Sequence, residues 1–396
     1  MHNFSHLLIR EFKLFWSNKL FVFAFLVMPL LLCLILGYVY RKGHLTELPI
    51  VVVDLDQSPS SARLIDMLDE SANLHIVHVT YELVDLNHLM LHNEATAVVM
   101  IPYRFEANLI SQKRPEINCY LNMFFTMTSS VVGGAVGQCT GAMNTSMLIS
   151  SLEAKGVPSS LATKQFEAVK HNVFYQYNPA GNYLYFLWPG LIFSVLHQLL
   201  LLALALSFAR EFEMGTFNKT GLLYYTRSPL LLIAAKFVPY LIMGLFHIGV
   251  YFILSDYFRI PRPAHPMVLF VSQVLLIAGA SLLAMMYSIL ISMPLKASQM
   301  LMSIASPAFT ISGFVWPQVP PFLEGFSKII PLVPYLKVTR CVLIQRGDWP
   351  DVSGSLQHQT VLILVYLCIT AGVLYVKIQK AVGLEKDDSG LVVTTK

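Results

Sequence analysis

Hydrophobic positions fall into two kinds of run along this chain. Residues 20–40 carry no charge, and the next comparable run, 183–208, begins only after a long mixed stretch. Runs at 230–254, 267–291, 299–316 and 358–376 then follow in quick succession. Each is near the ~20 residues that cross a ~30 Å hydrocarbon core at 1.5 Å per residue. The pattern predicts an α-helical polytopic membrane protein with six transmembrane helices and an extracytoplasmic α/β domain inserted between helices 1 and 2. The expected layout is an interfacial helix over 1–19, the first span over 20–40, and the inserted domain over 41–182. A five-helix transmembrane domain over 183–376 holds a loop at 209–229 and an external hairpin at 317–357, and 377–396 form a tail.

Within the inserted stretch the period changes. Short β-branched runs at 49–53, 75–79, 95–101 and 116–121 predict strands, and amphipathic stretches at 60–70 and 83–92 predict helices. Ser58 or Ser60, after Asp54-Leu-Asp-Gln, is placed to cap the first helix. Longer helices are expected over 127–152 and 159–172. Residues 117–152 contain no charge and compete as a seventh span. Their Ser, Thr, Asn and Gly content is too polar for that, and a seventh crossing would move the basic 209–229 loop to the other side. Six spans remain the expectation.

Composition agrees with a membrane protein. Hydrophobic residues make up 55% and charged ones 13% of the chain, about half the charge density of a soluble domain. Mean hydropathy is +0.60. The net charge of +4 is too small to point to nucleic acid. The first run lacks a small-residue cleavage pattern and reads as a retained anchor. Arg10, Lys13, Lys19, Arg210, Lys219, Arg227, Lys236, Lys296, Lys377, Lys380 and Lys386 fall on the side of both termini. By the positive-inside rule that side is cytoplasmic, although Arg41, Lys42, Arg259, Arg262, Lys328, Lys337, Arg340 and Arg346 lie opposite.

Candidate chemistry in the inserted domain is sparse. Asp54 and Asp56 at a strand end could serve a metal or a reaction, but loop hydrogen bonding and helix capping are the favoured reading. His88 and His92 share a helical face and could bind a metal, whereas His75 and His78, three apart on a strand, are expected on opposite faces. Solvated surface histidines are the favoured reading. Gly133, Gly137 and Gly141 recur every four residues, as a close helix contact or as a flexible polar segment. Five cysteines occur without a C-x-x-C pair, which argues against a zinc or redox site. Cys119 and Cys139 could pair in an oxidising compartment, but isolated thiols are expected.

The loop after the second run carries the strongest signal. It reads Arg210-Glu-Phe-Glu-Met-Gly-Thr-Phe, then an apolar turn, then Thr226-Arg-Ser-Pro229, then a helix with Lys236 near its start. This resembles the ABC-2 family, the permease subunits of ATP-binding-cassette exporters, with Arg210, Glu211, Glu213, Gly215, Thr216, Pro229 and Lys236 at matching positions. Val53-Asp-Leu-Asp-Gln-Ser58 resembles the start of the external domain of long-form members. Ser312, Gly313, Pro317, Pro321, Pro331, Arg340 and Gly347 resemble the family's external hairpin. The resemblance implies that Arg210, Glu211, Glu213, Gly215, Thr216 and Lys236 couple the chain to cytoplasmic ATPase subunits. On the residues alone, the loop reads as a short, exposed, polar knob that an ATPase could grip through ion pairs. In the N-terminal segment Phe4, Leu8, Phe12 and Phe15 or Trp16 share a face, with Arg10 and Lys13 elsewhere. That predicts a helix on the inner leaflet, which the resemblance implies would cradle the ATPase.

No Gly-Lys dipeptide occurs, so a Walker A loop is missing and ATP with Mg would be bound by a separate subunit; no cofactor is expected on this chain. No Asp or Glu lies inside any expected span, which disfavours an ion-coupled secondary transporter. A membrane-anchored scaffold acting through its external domain is the third reading. His197, Gln198 and His247 are polar exceptions inside spans and could line a substrate path or simply pack. The expectation is a permease pairing with a second copy or a paralogue in a bacterial inner membrane, both termini cytoplasmic. It would move an amphiphilic or hydrophobic substrate, and its external domain would receive cargo or dock a periplasmic adaptor. No nucleic-acid partner is expected.

Overall fold

A backbone in hydrocarbon must satisfy its own hydrogen bonds, so long uncharged runs become helices. The computed structural model describes residues 2–17, 19–41, 45–111, 113, 115–123, 126–156, 158, 182–315 and 320–388. Among them, five helices are long and apolar enough to cross a membrane: Val22–Val39, Tyr183–Glu213, Pro229–Tyr257, Pro266–Ile291 and Trp349–Gly383. The sixth expected span, 299–316, is not one helix. A helix over Pro294–Ala305 gives way at Pro307 to a short one over Ala308–Ile311. Proline has no amide hydrogen to continue the ladder and its ring crowds the preceding turn. The last helix runs from Trp349 to Asp388 and takes in residues expected in the hairpin and the tail.

The chain divides into two compact units, Met1–Gly43 with Tyr175–Lys396, and His44–Phe174. In the first unit the second and fourth long helices are central: 61% of each apolar window is buried, against 22–28% for the other three. The second helix meets the first and third through aromatic side chains. Trp188 stacks on Tyr251 at 5.3 Å and donates its indole N–H to the Cys33 carbonyl at 3.0 Å. Phe193 lies between Tyr251 and Tyr335, 5.0 and 5.3 Å from their rings. The first long helix meets the end of the third at Gly37, where an added Cβ would sit 2.2 Å from the Phe258 ring. Only a residue without a side chain allows that approach.

The hairpin residues are dispersed along a series of short helices. Ser312 accepts the N–H of Phe314, Gly313 has φ +76°, Pro321 opens the helix Pro321–Ser327, and Pro331 precedes Leu332–Thr339. Arg340–Ile344 form a π-helical turn, and Arg340 donates to the Gly313 carbonyl at 3.3 Å. Pro317 lies outside the described residues.

The second unit is a four-stranded sheet of order β2-β1-β3-β4. Strands β1 (Leu48–Asp54), β2 (Leu74–Thr80) and β3 (Ala97–Ile101) are parallel, and β4 (Asn118–Leu121) is antiparallel to β3. Apolar from Ile50 to Val53, β1 is covered on both faces, as a central parallel strand must be. Ile50 and Val52 pack with Leu64 and Leu68 of the helix Pro59–Asp69 and with Val132 and Val136 of Thr126–Ala154. Val51 and Val53 pack with Leu89 of Leu86–His92. The uncharged 117–152 stretch therefore contributes a strand and a helix that cover this sheet. A helix over Phe105–Ile110 was not expected, and the helix expected over 159–172 lies outside the described residues.

Register corrects one expectation. Pro49 pairs with His75 and Val51 with His78, so an extra residue, Val77, is inserted opposite β1. Such a bulge shifts the two-residue period by one. It brings His75 and His78 onto one face of the sheet rather than opposite faces.

Candidate functional site

The second long span is continuous helix over Tyr183–Ala205, and the motif that follows folds as a closed turn. Its short helix, Ala209–Glu213, starts where the backbone N–H groups of Phe208 and Ala209 donate to the buried Ser288 hydroxyl at 2.9 and 2.8 Å. The fourth long helix thus satisfies amides that would otherwise be orphaned. At the other end Gly215 takes φ +66°, the left-handed conformation that glycine adopts without steric cost. The chain reverses there: Thr216 N–H bonds the Glu211 carbonyl at 3.0 Å, and the Thr216 hydroxyl donates to the Glu211 carboxylate.

Glu211 is not exposed. Its side chain retains 5% of its accessible surface and sits in a cluster of four charges. Arg10 Nη2 donates to both Glu211 oxygens at 2.8 and 2.9 Å, while Arg10 Nη1 reaches Glu11 at 2.9 Å. Lys236 Nζ donates to Glu211 at 3.1 Å and to both Glu11 oxygens at 3.2 Å. Two cations and two carboxylates cancel, which is the condition for keeping charge out of water. Lys236 also lies over the Phe208 ring, 5.2 Å from its centroid. The cluster joins three elements: the N-terminal helix His2–Ser17, the turn after the second long helix, and the first turns of the third, which begins at Pro229. A cavity of about 310 Å³ beside it is lined by Arg10, Glu11, Arg210, Glu211, Met214 and Lys236 among others.

The six loop residues singled out from sequence therefore separate into two groups. Glu211 and Lys236 are buried and Thr216 is half-buried against them, whereas Arg210, Glu213 and Gly215 are exposed with Met214. An exposed knob describes only the second group. Arg10 and Glu11 were missed as cluster members. Leu7 and Phe15 are buried on the N-terminal helix and Phe4, Leu8 and Phe12 partly so, but Trp16 is half-exposed. Behind the turn, Lys377 of the last helix lies 4.0 Å over the Phe212 ring and donates to the Ile289 carbonyl and the Ser292 hydroxyl.

Elsewhere the sequence candidates resolve into structure. His197 is fully buried, and neither ring nitrogen has a hydrogen-bond partner among the described residues. Gln198 beside it is half-buried. His247 meets the Met243 carbonyl at 2.7 Å and faces the edge of Phe25. Asp54 accepts the N–H groups of Asp56 and Gln57 and the Ser61 hydroxyl, while Ser58 and Ser61 close a capping box on the helix Pro59–Asp69. Asp56 accepts the Glu106 N–H at 2.9 Å. Partial burial would raise the Asp56 carboxyl, but the Ser58 hydroxyl and the N–H groups of Glu106, Phe105 and Arg104 hold it below the usual range. Both carboxylates thus order the loop. His88 and His92 stack at 5.5 Å, and among the described residues no group of three or more His, Cys, Asp or Glu could hold a metal. Cys119 and Cys139 are free thiols, Cys139 pointing at the Met67 carbonyl.

Compared with known proteins, residues 19–376 match the family model described as ABC-2 family transporter protein. No curated protein matches the chain.

Proposed function

The chain belongs to the ABC-2 family of transporter proteins, and from that membership we propose that it is the permease subunit of an ATP-driven exporter. It would work as a dimer, with itself or a paralogue, bound to two ATPase subunits that hold ATP and Mg. In this reading 299–316 completes a sixth crossing through its two short helices, both termini are cytoplasmic, and the membrane is a bacterial inner membrane. The α/β unit, outside, receives cargo or docks an adaptor.

The observation that carries the reading is the buried charge cluster. An ATPase gripping the exposed tip at Arg210, Glu213 and Gly215 would displace the turn. Glu211 would pass that displacement to the N-terminal helix through Arg10 and to the third long helix through Lys236. Buried pairs resist separation because each partner would be left as an uncompensated charge, so the three elements move together. Closure of the ATPase dimer then rocks the second and third helices and opens a path between two copies of the permease. Half-buried Gln198 is a candidate for lining it, buried His197 and His247 would join it only as the helices of one copy part, and an amphiphilic or hydrophobic substrate suits so apolar a route. The hairpin residues Ser312, Gly313, Pro321 and Pro331 would shape its external mouth.

A tagged pull-down from gently solubilised membranes, with ATPase activity assayed on the eluate, tests this. A co-purifying Walker-A-bearing protein supports the reading. A chain recovered alone in every detergent contradicts it.

A further inference from the structure

At the ends of the long helices remote from Glu211, two arginines face one cavity. Arg41 follows the first long helix, Asn182 caps the second, and Arg259 follows the third. With Tyr185, Tyr257 and Phe258 they line a space of about 460 Å³ whose wall has no acidic residue among the described residues. Among the described residues neither Arg41 nor Arg259 has a carboxylate partner. Arg262, three positions on, differs: it is gripped by both oxygens of Asp256 at 2.8 Å. Asp256 is therefore already committed, and among the described residues no carboxylate compensates the two guanidinium groups around this hollow.

The position is built rather than incidental. Arg259 has φ +55°, a left-handed conformation at a helix end where glycine is the easy choice. The bonds Arg259 N–H to Asp256 carbonyl (3.1 Å) and Ile260 N–H to Ser255 carbonyl (2.9 Å) close that turn. Phe258 anchors it, its ring against Gly37 and Trp188. The Tyr257 hydroxyl meets that of Tyr38 at 2.9 Å, at the level where tyrosines gather at a membrane surface. The Tyr183–Ala205 helix, 23 residues long, carries Asn182 roughly 35 Å from the Glu211 turn, so the cavity lies at headgroup depth.

We propose that this cavity binds a phosphate-bearing anion, with the headgroup of an anionic phospholipid or free phosphate as the two sources of that chemistry. Guanidinium forks match phosphate oxygens bidentately, on either face of a membrane. Asn182 and Tyr185 add polar contacts at the rim, and the apolar helix faces below accept acyl chains. The site is independent of any ATPase, so its test does not stand or fall with export.

The full-length chain, purified in detergent, is titrated by native mass spectrometry with dioleoylphosphatidylglycerol and with dioleoylphosphatidylcholine, and by equilibrium dialysis with inorganic phosphate. Phosphatidylglycerol should bind in preference to phosphatidylcholine and weaken at least tenfold in R41Q/R259Q. R41K/R259K should keep part of the affinity, and R262Q should match the parent. Phosphate binding with the same dependence on the two arginines would assign the soluble source. Should the double variant not elute as a folded species, R41Q alone is expected to lose at least threefold. Equal binding of both probes by the parent and by folded R41Q/R259Q, or by R41Q where it stands in, would overturn the proposal.

Discussion

Glu211 and Lys236 are 25 residues apart in the chain and 3.1 Å apart in space, both almost wholly withdrawn from water. Their contact closes the loop after the second long helix onto the third. Arg10 and Glu11 complete it from the far end of the sequence. A turn that reads as a surface feature is thereby fixed from inside.

Removing one partner should cost more than removing the pair. Lys236→Met leaves two carboxylates facing only Arg10, and breaking a buried pair costs about 3–5 kcal/mol. Glu211→Gln with Lys236→Met should recover about 0.5–3 kcal/mol of that loss, the usual range for coupled neighbours. Thermal unfolding of the four corners of this cycle in detergent measures it. Strict additivity would mean the pair is not coupled.

Glu213 should behave in the opposite way. It is exposed two residues from Glu211, so Glu213→Ala should leave stability within about 0.5 kcal/mol, as surface changes do. ATP-dependent transport should nonetheless fall, because the tip is where the ATPase is proposed to grip. Unchanged transport in reconstituted vesicles would place the grip elsewhere.

Part of this was legible in the sequence and part was not. The spans follow from uncharged length, and the strands from β-branched runs. Pro307 was visible inside the 299–316 run, and its backbone consequence is general. Lys236 carries a signal of its own: a cation several residues into an apolar helix needs a partner, and Glu11, Glu211 and Glu213 are acids near helix ends. What no local pattern gives is the partner's identity, since Arg10 and Glu211 lie 201 residues apart. The bulge at Val77 was equally hidden, because alternation assumes an unbroken register. Asp56 reads from sequence as a loop hydrogen-bonding residue, but its partner, the start of the helix Phe105–Ile110, is set by the fold of the sheet.

Gly37 should tolerate no side chain. A Cβ there would lie 2.2 Å from the Phe258 ring, and a ring packed against Trp188 and Tyr257 has little room to yield. Gly37→Ala should destabilise by about 1–3 kcal/mol, the cost of overpacking. Phe258→Leu in the same chain should return part of it. A Gly37→Ala variant with an unchanged melting temperature would show that the two helices do not meet there.

Asp56 gives the α/β unit a pH dependence of definite sign. Its carboxyl is held below its ordinary value by hydrogen bonds that exist only in the folded unit. A depressed native pKa contributes stability above the unfolded value, and that contribution is lost as pH falls through the native one. Unfolding of the unit should therefore be insensitive to this group above about pH 4 and steepen below it. Asp56→Asn should flatten that slope. An identical slope in the variant would remove Asp56 from the acid response.

The central claim is that the Glu213 tip is the part of this chain an ATPase holds. Photo-crosslinking in intact membranes, with benzoylphenylalanine placed at position 213 or at the exposed position 103 of the α/β unit, tests it directly. An ATPase adduct is expected from position 213 and none from position 103. An ATPase adduct from 103, or none from 213 while the ATPase co-purifies, would contradict it.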